Sequence, residues 1–202
     1  MTPRFVVVEG GDAGGKSTQV AQLADRLRAV NIDVLTTFEP GATPAGAVIR
    51  ELLLHRAEQV APATEALLMA ADRAQHVSEV VLPALDRGQW VISDRFVPSS
   101  LVYQGVVRGL GVAAIDDLNR LAIASATPDL VLVLDVDDAA VAARNVGPTD
   151  RLEAEGAPFH VAVREAYRSL ASERGWLVID ANGSIDVVAE RVWRAVEPLL
   201  AG

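Results

Sequence analysis

Apolar positions along this chain follow two rhythms that alternate from end to end. Phe5 to Val8 is an unbroken apolar run of strand length, and it stops at a glycine-rich turn. Thr18 to Val30 then sets Val20, Leu23, Ala24 and Leu27 at helical spacing, so that one face is apolar. Asp33 to Phe38 predicts a second strand, ended by Glu39-Pro40-Gly41. Thr43-Pro44 has the form of an N-cap with proline at the first helical position, and opens a helix to about His55. Helical spacing resumes from Pro62 to about Arg87, with Pro83 expected to kink or split it, because the ring removes an N–H and crowds the preceding turn. Gln89 to Ser93 predicts a third strand, and residues 98–108 and 112–126 two helices parted by Gly109-Leu-Gly111. Asp129 to Val136 is the strongest strand signal, apolar at nearly every position, as a strand buried on both faces should be. After it come a helix around 137–145, a polar Gly/Pro-containing segment from Asn145 to Gly156, and a helix over 157–174. A fifth strand, Trp176 to Asp180, and a helix from Ser184 to Leu200 close the pattern. Strands alternating with helices predict an α/β fold, a five-stranded parallel sheet with helices on both faces. No repeat or linker interrupts it, so 1–202 reads as a single domain with a short lid.

Composition narrows the function classes. Of 202 residues half are apolar but only 4% aromatic, so the core is expected to be built from Val, Leu, Ala and Ile. The formal net charge of −9 argues against a surface that coats a nucleic-acid polymer. Cysteine is absent, which excludes disulfides and thiolate metal sites, and three scattered histidines make a zinc site a poor expectation. No apolar run approaches the ~20 residues of a membrane span, and the first strand begins too early for a signal peptide, so a cytoplasmic protein without a membrane partner is expected.

The turn after the first strand carries the chemistry. Gly10 to Ser17 spells G-x-x-x-x-G-K-S between a strand and a helix, the required context of a phosphate-binding loop. The candidate triphosphate contacts are Gly10, Gly11, Asp12, Ala13, Gly14, Gly15, Lys16, Ser17 and Thr18. Glycines let successive N–H groups curl toward phosphate oxygens, and the helix start adds unpaired N–H groups. Lys16 is expected on the β- and γ-phosphates of a nucleoside triphosphate such as ATP, and the Ser17 hydroxyl on Mg2+. In such sheets ligands bind at the carboxyl ends of the strands, which selects Glu39 after strand two and Asp94-Arg95 after strand three. Arg144 and Arg151 flank the polar segment. Arginines gathered around one phosphate site suit phosphoryl transfer, which needs positive charge more than a general base.

Seven stretches, in order, carry a resemblance to the thymidylate kinases, nucleoside-monophosphate kinases that make dTDP from dTMP and ATP. They are EGGDAGGKSTQ (9–19), EPGATPAG (39–46), IRELLL (49–54), EALLMAADRAQH (65–76), VISDRFVPSSLVYQG (91–105), PDLVLVLDV (128–136) and DRLEAEGAPFH (150–160). The resemblance implies the P-loop NTPase fold and a site that can be carried over by position. Asp12 resembles the carboxylate that orients the acceptor sugar and the metal, Arg95 the arginine bridging the two phosphates, and Asp94 the acid beside Mg2+. Glu39 and Pro40 would line the acceptor phosphate pocket, Arg73 would meet the thymine carbonyl, Ser100 and Gln104 would read the base edge, and Ser99 would be among the substrate-binding residues. Tyr103 would lie against the deoxyribose. The segment 144–156 would be the lid over ATP, and helices within 62–82 and 112–126 could pair two copies as a homodimer.

Four departures accompany it. Ala13 stands where the family can place a catalytic arginine in the loop, and Val146 occupies a lid position that is commonly basic, which leaves Arg144 and Arg151 to supply the charge. Met69 replaces the usual phenylalanine against thymine, and Phe38 replaces an arginine that commonly precedes Glu-Pro. A kinase for another nucleoside monophosphate is the alternative acceptor reading. A GTPase switch would be expected to carry N-K-x-D, yet no Asn here precedes Lys; a motor ATPase would show Asp-Glu after an apolar strand, whereas these strands end in Asp94-Arg95 and Asp135-Val136.

Overall fold

The computed structural model describes residues 2–55, 60–137, 140–141 and 156–201. Strands β1 (Phe5–Gly10), β2 (Val34–Phe38), β3 (Trp90–Asp94), β4 (Leu130–Asp135) and β5 (Leu177–Asp180) form one parallel sheet in the order β2-β3-β1-β4-β5. From β1 the chain moves past β3 to β2, whereas from β3 it crosses β1 to reach β4. That reversal opens a crevice at the carboxyl ends of β1 and β3, where ligands bind in open parallel sheets.

Alternate residues of β1 supply opposite faces of the sheet, as the period of a strand dictates. Val6 and Val8 pack with the predicted stripe Val20, Leu23, Ala24 and Leu27 of α1 (Lys16–Ala29) and with Val188 and Val192 of the last helix. Phe5 and Val7 instead meet Val77, Val81 and Phe96. A third cluster joins Tyr103, Ile115, Val133 and Tyr167.

The helices confirm the expected order and correct several boundaries. α2 (Pro44–Arg50) is capped by Thr43, whose hydroxyl accepts from Gly46 N at 3.0 Å, but it widens into a π turn over Glu51–His55. The long helix from Pro62 becomes α3 (Pro62–His76), a π turn (Val77–Val81) and α4 (Leu82–Asp86). Pro83 therefore sits in a first turn, where its missing N–H costs nothing, and the wider turn before it absorbs the break. Likewise 98–108 divides into α5 (Val97–Ser100) and a π turn (Leu101–Val107), and α6 (Val112–Ile123) ends three residues early. α7 (Ala157–Arg174) matches its prediction, and α8 (Ile185–Val196) passes into a 3-10 turn over Glu197–Ala201 containing Pro198. Of the helix expected near 137–145 residues 137, 140 and 141 are described, the last two helical; the 144–155 part of the lid lies outside the described residues. Among the described residues no helix is long and apolar enough to cross a membrane.

Candidate active site

The loop after β1 is shaped by positions that side chains cannot occupy. Gly10 has φ 135°, and a Cβ there would lie 2.5 Å from the Leu134 carbonyl oxygen of neighbouring β4. Ala13 is also left-handed, at φ 56°. Gly15 caps α1 without a side-chain acceptor, so the first N–H groups of α1 are left for an anion. Lys16 spans the loop, its Nζ donating to the Gly11 carbonyl at 2.8 Å. Burial and the nearby Arg95 push the Lys16 pKa down, against the pull of Asp12, Asp94 and Glu9. The Ser17 hydroxyl donates to Asp94 Oδ2 at 2.7 Å, which joins the end of β3 to the loop. These two hard oxygens side by side fit Mg2+, which keeps most of its positions for phosphate and water.

Beyond the loop, two clefts meet. One is lined by Asp12, Ala13, Gly14, Gly15, Lys16, Ser17 and Thr18 with Thr36, Thr37, Phe38 and Asp94. The other, with about 580 Å³ of open space, is lined by Asp12, Glu39, Pro40, Met69, Arg73, Arg95, Ser99, Ser100, Tyr103 and Gln104, together with Arg50 and Leu54. Every acceptor-side residue expected from the sequence is thus brought to one cleft. Asp12, Glu39, Arg50 and Arg95 line both, so these four mark the junction. Arg50 was not anticipated, although its string IRELLL was noted. Its guanidinium donates to the Pro40 carbonyl at 2.7 Å and lies over the Phe38 ring. Arg50 thus brings a positive charge to the cleft boundary beside Phe38.

Arg95 holds φ 73°, a strained conformation for a residue with a side chain, and such strain gathers at functional sites. Its guanidinium donates to Asp12 Oδ1 at 2.7 Å and to Ser99 Oγ at 3.1 Å, and it lies over the Tyr103 ring. Behind it sits Glu9, the last side chain of β1 before the loop and fully buried. Glu9 accepts from the Phe96 and Ser99 amides, the Ser99 hydroxyl and the Tyr167 hydroxyl. Burial raises its pKa, opposed by Arg95 and these donors. The sequence reading missed Glu9 and Tyr167; the one available signal was a carboxylate ending an otherwise apolar strand.

α3 turns a polar stripe inward: Glu65, Asp72, Arg73 and His76 are all buried. Arg73 Nε and Nη2 reach Glu39 Oε2 at 2.9 and 2.8 Å, and Nη2 also donates to the Phe96 carbonyl at 3.0 Å. Nη1 donates to Ser100 Oγ at 3.1 Å and to Asn119 Oδ1. Four of these contacts are hydrogen bonds and the fifth is the Nη2–Glu39 ion pair, so meeting a base carbonyl requires an exchange of partners, of which Glu39 and Ser100 line the cleft. Glu39 Oε1 meets His76 Nδ1 at 2.8 Å, and His76 Nε2 meets Thr37 Oγ1 at 2.6 Å, which makes His76 a buried hydrogen-bonder. The Glu39 carboxylate is therefore turned toward Arg73 and His76. In the same cleft the buried Tyr103 hydroxyl makes no hydrogen bond within bonding geometry among the described residues, and a bound ligand can satisfy it. Arg144, Val146 and Arg151 lie outside the described residues.

Asp72 Oδ1 accepts from Gly41 N at 2.9 Å, while Oδ2 is buried without a hydrogen-bond partner among the described residues. Burial, then the neighbouring Glu39, raises its pKa from 3.8 to about 6. The folded protein therefore holds a proton that the unfolded chain releases between about pH 4 and 6. Stability from this group is present below that window and lost as pH rises through it. Asp72→Asn keeps an acceptor for Gly41 and is expected to flatten this decline. Urea midpoints should exceed those of the parent above pH 6 by an amount equivalent to at most about 3 kcal/mol; an unchanged pH profile would count against the assignment.

A family model described as thymidylate kinase matches residues 8–192. The chain is similar to a thymidylate kinase of Synechococcus sp. (strain WH7803), 47% identical over 98% of this chain and 96% of that protein. It is also similar to one from Leifsonia xyli subsp. xyli, 46% identical over 93% and 91% of the two chains. The crystal structure of thymidylate kinase from Ehrlichia chaffeensis at 29% identity superposes with a TM-score of 0.81, covering 97% of this chain and 100% of that one.

Proposed function

Given that the chain belongs to the thymidylate kinase family, we propose a division of labour for its phosphorylation of dTMP with ATP as phosphate donor. The observation that carries it is the shared border of the two clefts, where Arg95 and Asp12 face both. Lys16, the loop N–H groups and Thr18 hold the donor phosphates, and Ser17 with Asp94 holds Mg2+. When bound, the metal offsets negative charge that builds on the phosphates. Arg95 spans the donor and acceptor phosphates, held in aim by Asp12, Ser99 and the Tyr103 ring. Glu39 and Pro40 wall the acceptor phosphate pocket, with Arg50 as added charge. Tyr103 lies against the sugar, and Met69, Arg73, Ser99, Ser100 and Gln104 surround the base. The acceptor phosphate, with a second pKa of about 6, is ionised at neutral pH and attacks without a general base.

In this reading 1–202 is one domain working in the cytoplasm, and Arg144 or Arg151 of the lid supplies the arginine that Ala13 cannot. Steady-state assays with ATP across a panel of nucleoside monophosphates test the whole assignment. dTMP is expected to give the highest kcat/KM, and a purine or ribonucleotide in first place would defeat it. Separate Arg144→Ala and Arg151→Ala variants test the lid.

We also propose a homodimer through α3 and α6. These helices pack together yet present Leu67, 59% exposed, and Leu121, 88% exposed, to the outside. Leu121→Glu is expected to shift the protein to monomer in sedimentation velocity. A variant that sediments like the parent dimer would exclude this face.

A further inference from the structure

Glu65 stands in the first turn of α3, where an acidic side chain ordinarily reaches water, but it is only 1% exposed. It does not line the acceptor cleft. Two side chains from the turn after α5 come to it: Gln104 Nε2 donates to Glu65 Oε1 at 2.9 Å, and Arg108 Nε approaches the same oxygen at 3.5 Å. A carboxylate offers only acceptors, so it must be the amide nitrogen of Gln104 that faces Glu65. The carbonyl oxygen of Gln104 is then the end left for the cleft that this residue lines.

We infer that Glu65 is a specificity-determining positioning residue, which fixes the Gln104 amide so that an acceptor meets the base. An acceptor at this point matches a pyrimidine ring that carries a hydrogen on N3, as thymine and uracil do. It opposes the N3 lone pair of cytosine. Without the carboxylate the amide can rotate to present its NH2, and the distinction is lost, because an amide flip interchanges donor and acceptor at nearly equal shape. Arg108, lying over the Phe159 ring, approaches the same oxygen and supports the buried carboxylate. The inference rests on the reading that the base lies against Gln104.

The test compares kcat and KM for dTMP and dCMP in the parent, Glu65→Gln, Glu65→Asp and Gln104→Ala. Glu65→Gln has the same shape but can both donate and accept. It is expected to lower the dTMP-to-dCMP ratio of kcat/KM roughly tenfold, mainly through KM. Glu65→Asp remains an acceptor and is expected to retain most of the ratio. A parental ratio in Glu65→Gln, or an equal collapse in Glu65→Asp, overturns the inference. If Gln104→Ala keeps the parental KM for dTMP, the base lies elsewhere and the site reading falls with it. If only Gln104→Ala loses dTMP, the site reading stands and the inference alone fails. Should Glu65→Gln not fold, the parent labelled with 15N-glutamine decides. The Gln104 NH2 signals are expected to hold their positions when dTMP binds, and a large shift of both protons would put nitrogen on the base and overturn the proposal.

Discussion

Arg95→Ala is expected to slow phosphoryl transfer by about 10³-fold or more while ATP affinity stays within a few-fold of the parent. The guanidinium stands where the two clefts join, aimed by Asp12, Ser99 and the Gly10 carbonyl and backed by the Tyr103 ring. Charge fixed in this way needs no reorganisation as the γ-phosphoryl group moves, which is why its loss should fall on kcat. The donor phosphates are held mainly by the loop and Lys16, which the substitution does not touch. Arg95→Lys should recover little, because one ammonium cannot reproduce a planar fork with several simultaneous partners. Single-turnover kinetics together with calorimetric ATP binding check both halves. Near-normal turnover would remove Arg95 from the chemistry, and lost ATP binding would make it a donor-site residue.

A second large effect is expected at Arg73, in stability. Arg73→Met leaves the buried Glu39 carboxylate without its two guanidinium contacts and strands the Ser100, Asn119 and Phe96 acceptors. Removing one partner of a buried ion pair costs about 3–5 kcal/mol, because the other charge remains in a poor solvent for it. The His76 contact to Glu39 Oε1 at 2.8 Å remains in the variant and offsets part of this. Urea denaturation of Arg73→Met, Glu39→Gln and the double variant measures the coupling. The double variant is expected to be more stable than Arg73→Met alone, since the uncompensated charge is gone. Additive losses would mean that the two side chains do not act as a pair.

Much of the site was legible because its local chemistry is sequential. The loop declares itself by glycine spacing, a lysine and a hydroxyl between a strand and a helix, and the structure adds that Gly10 is forced by the approach of Leu134. Ser100, Tyr103 and Gln104 share one face by helical spacing, as do Met69 and Arg73, so each group could be read as a unit. Arg50 was harder. Its alkyl stem packs where a Cβ on Gly41 would lie 2.8 Å from its Cδ, a contact that depends on how α2 folds back on the preceding loop. Glu9 and Tyr167 lie 158 residues apart in the chain and meet behind Arg95 at 2.8 Å. No periodicity could join them.

The π turns show the same limit in the fold. Helical periodicity tells that 62–87 and 98–108 are helical, but widening by one residue per turn changes the spacing too little to be read. At Pro83 the proline announced a break, and packing placed it in the five residues before the proline's own turn.

By itself, then, the sequence determined the order of strands and helices, the anion-binding loop and the residue types available at each strand end, because hydrophobic period and glycine spacing act over a few residues. Only the tertiary structure decided that β1 lies between β3 and β4 and that Ser17 meets Asp94. It also decided that Arg73 is held by Glu39, Ser100, Asn119 and Phe96, that Glu65 holds Gln104, and that Glu9 lies buried behind Arg95. Those facts depend on burial. Once a charge is out of water, its partners are whichever groups the packed sheet and helices bring within 3 Å or so, however far apart they stand in the chain.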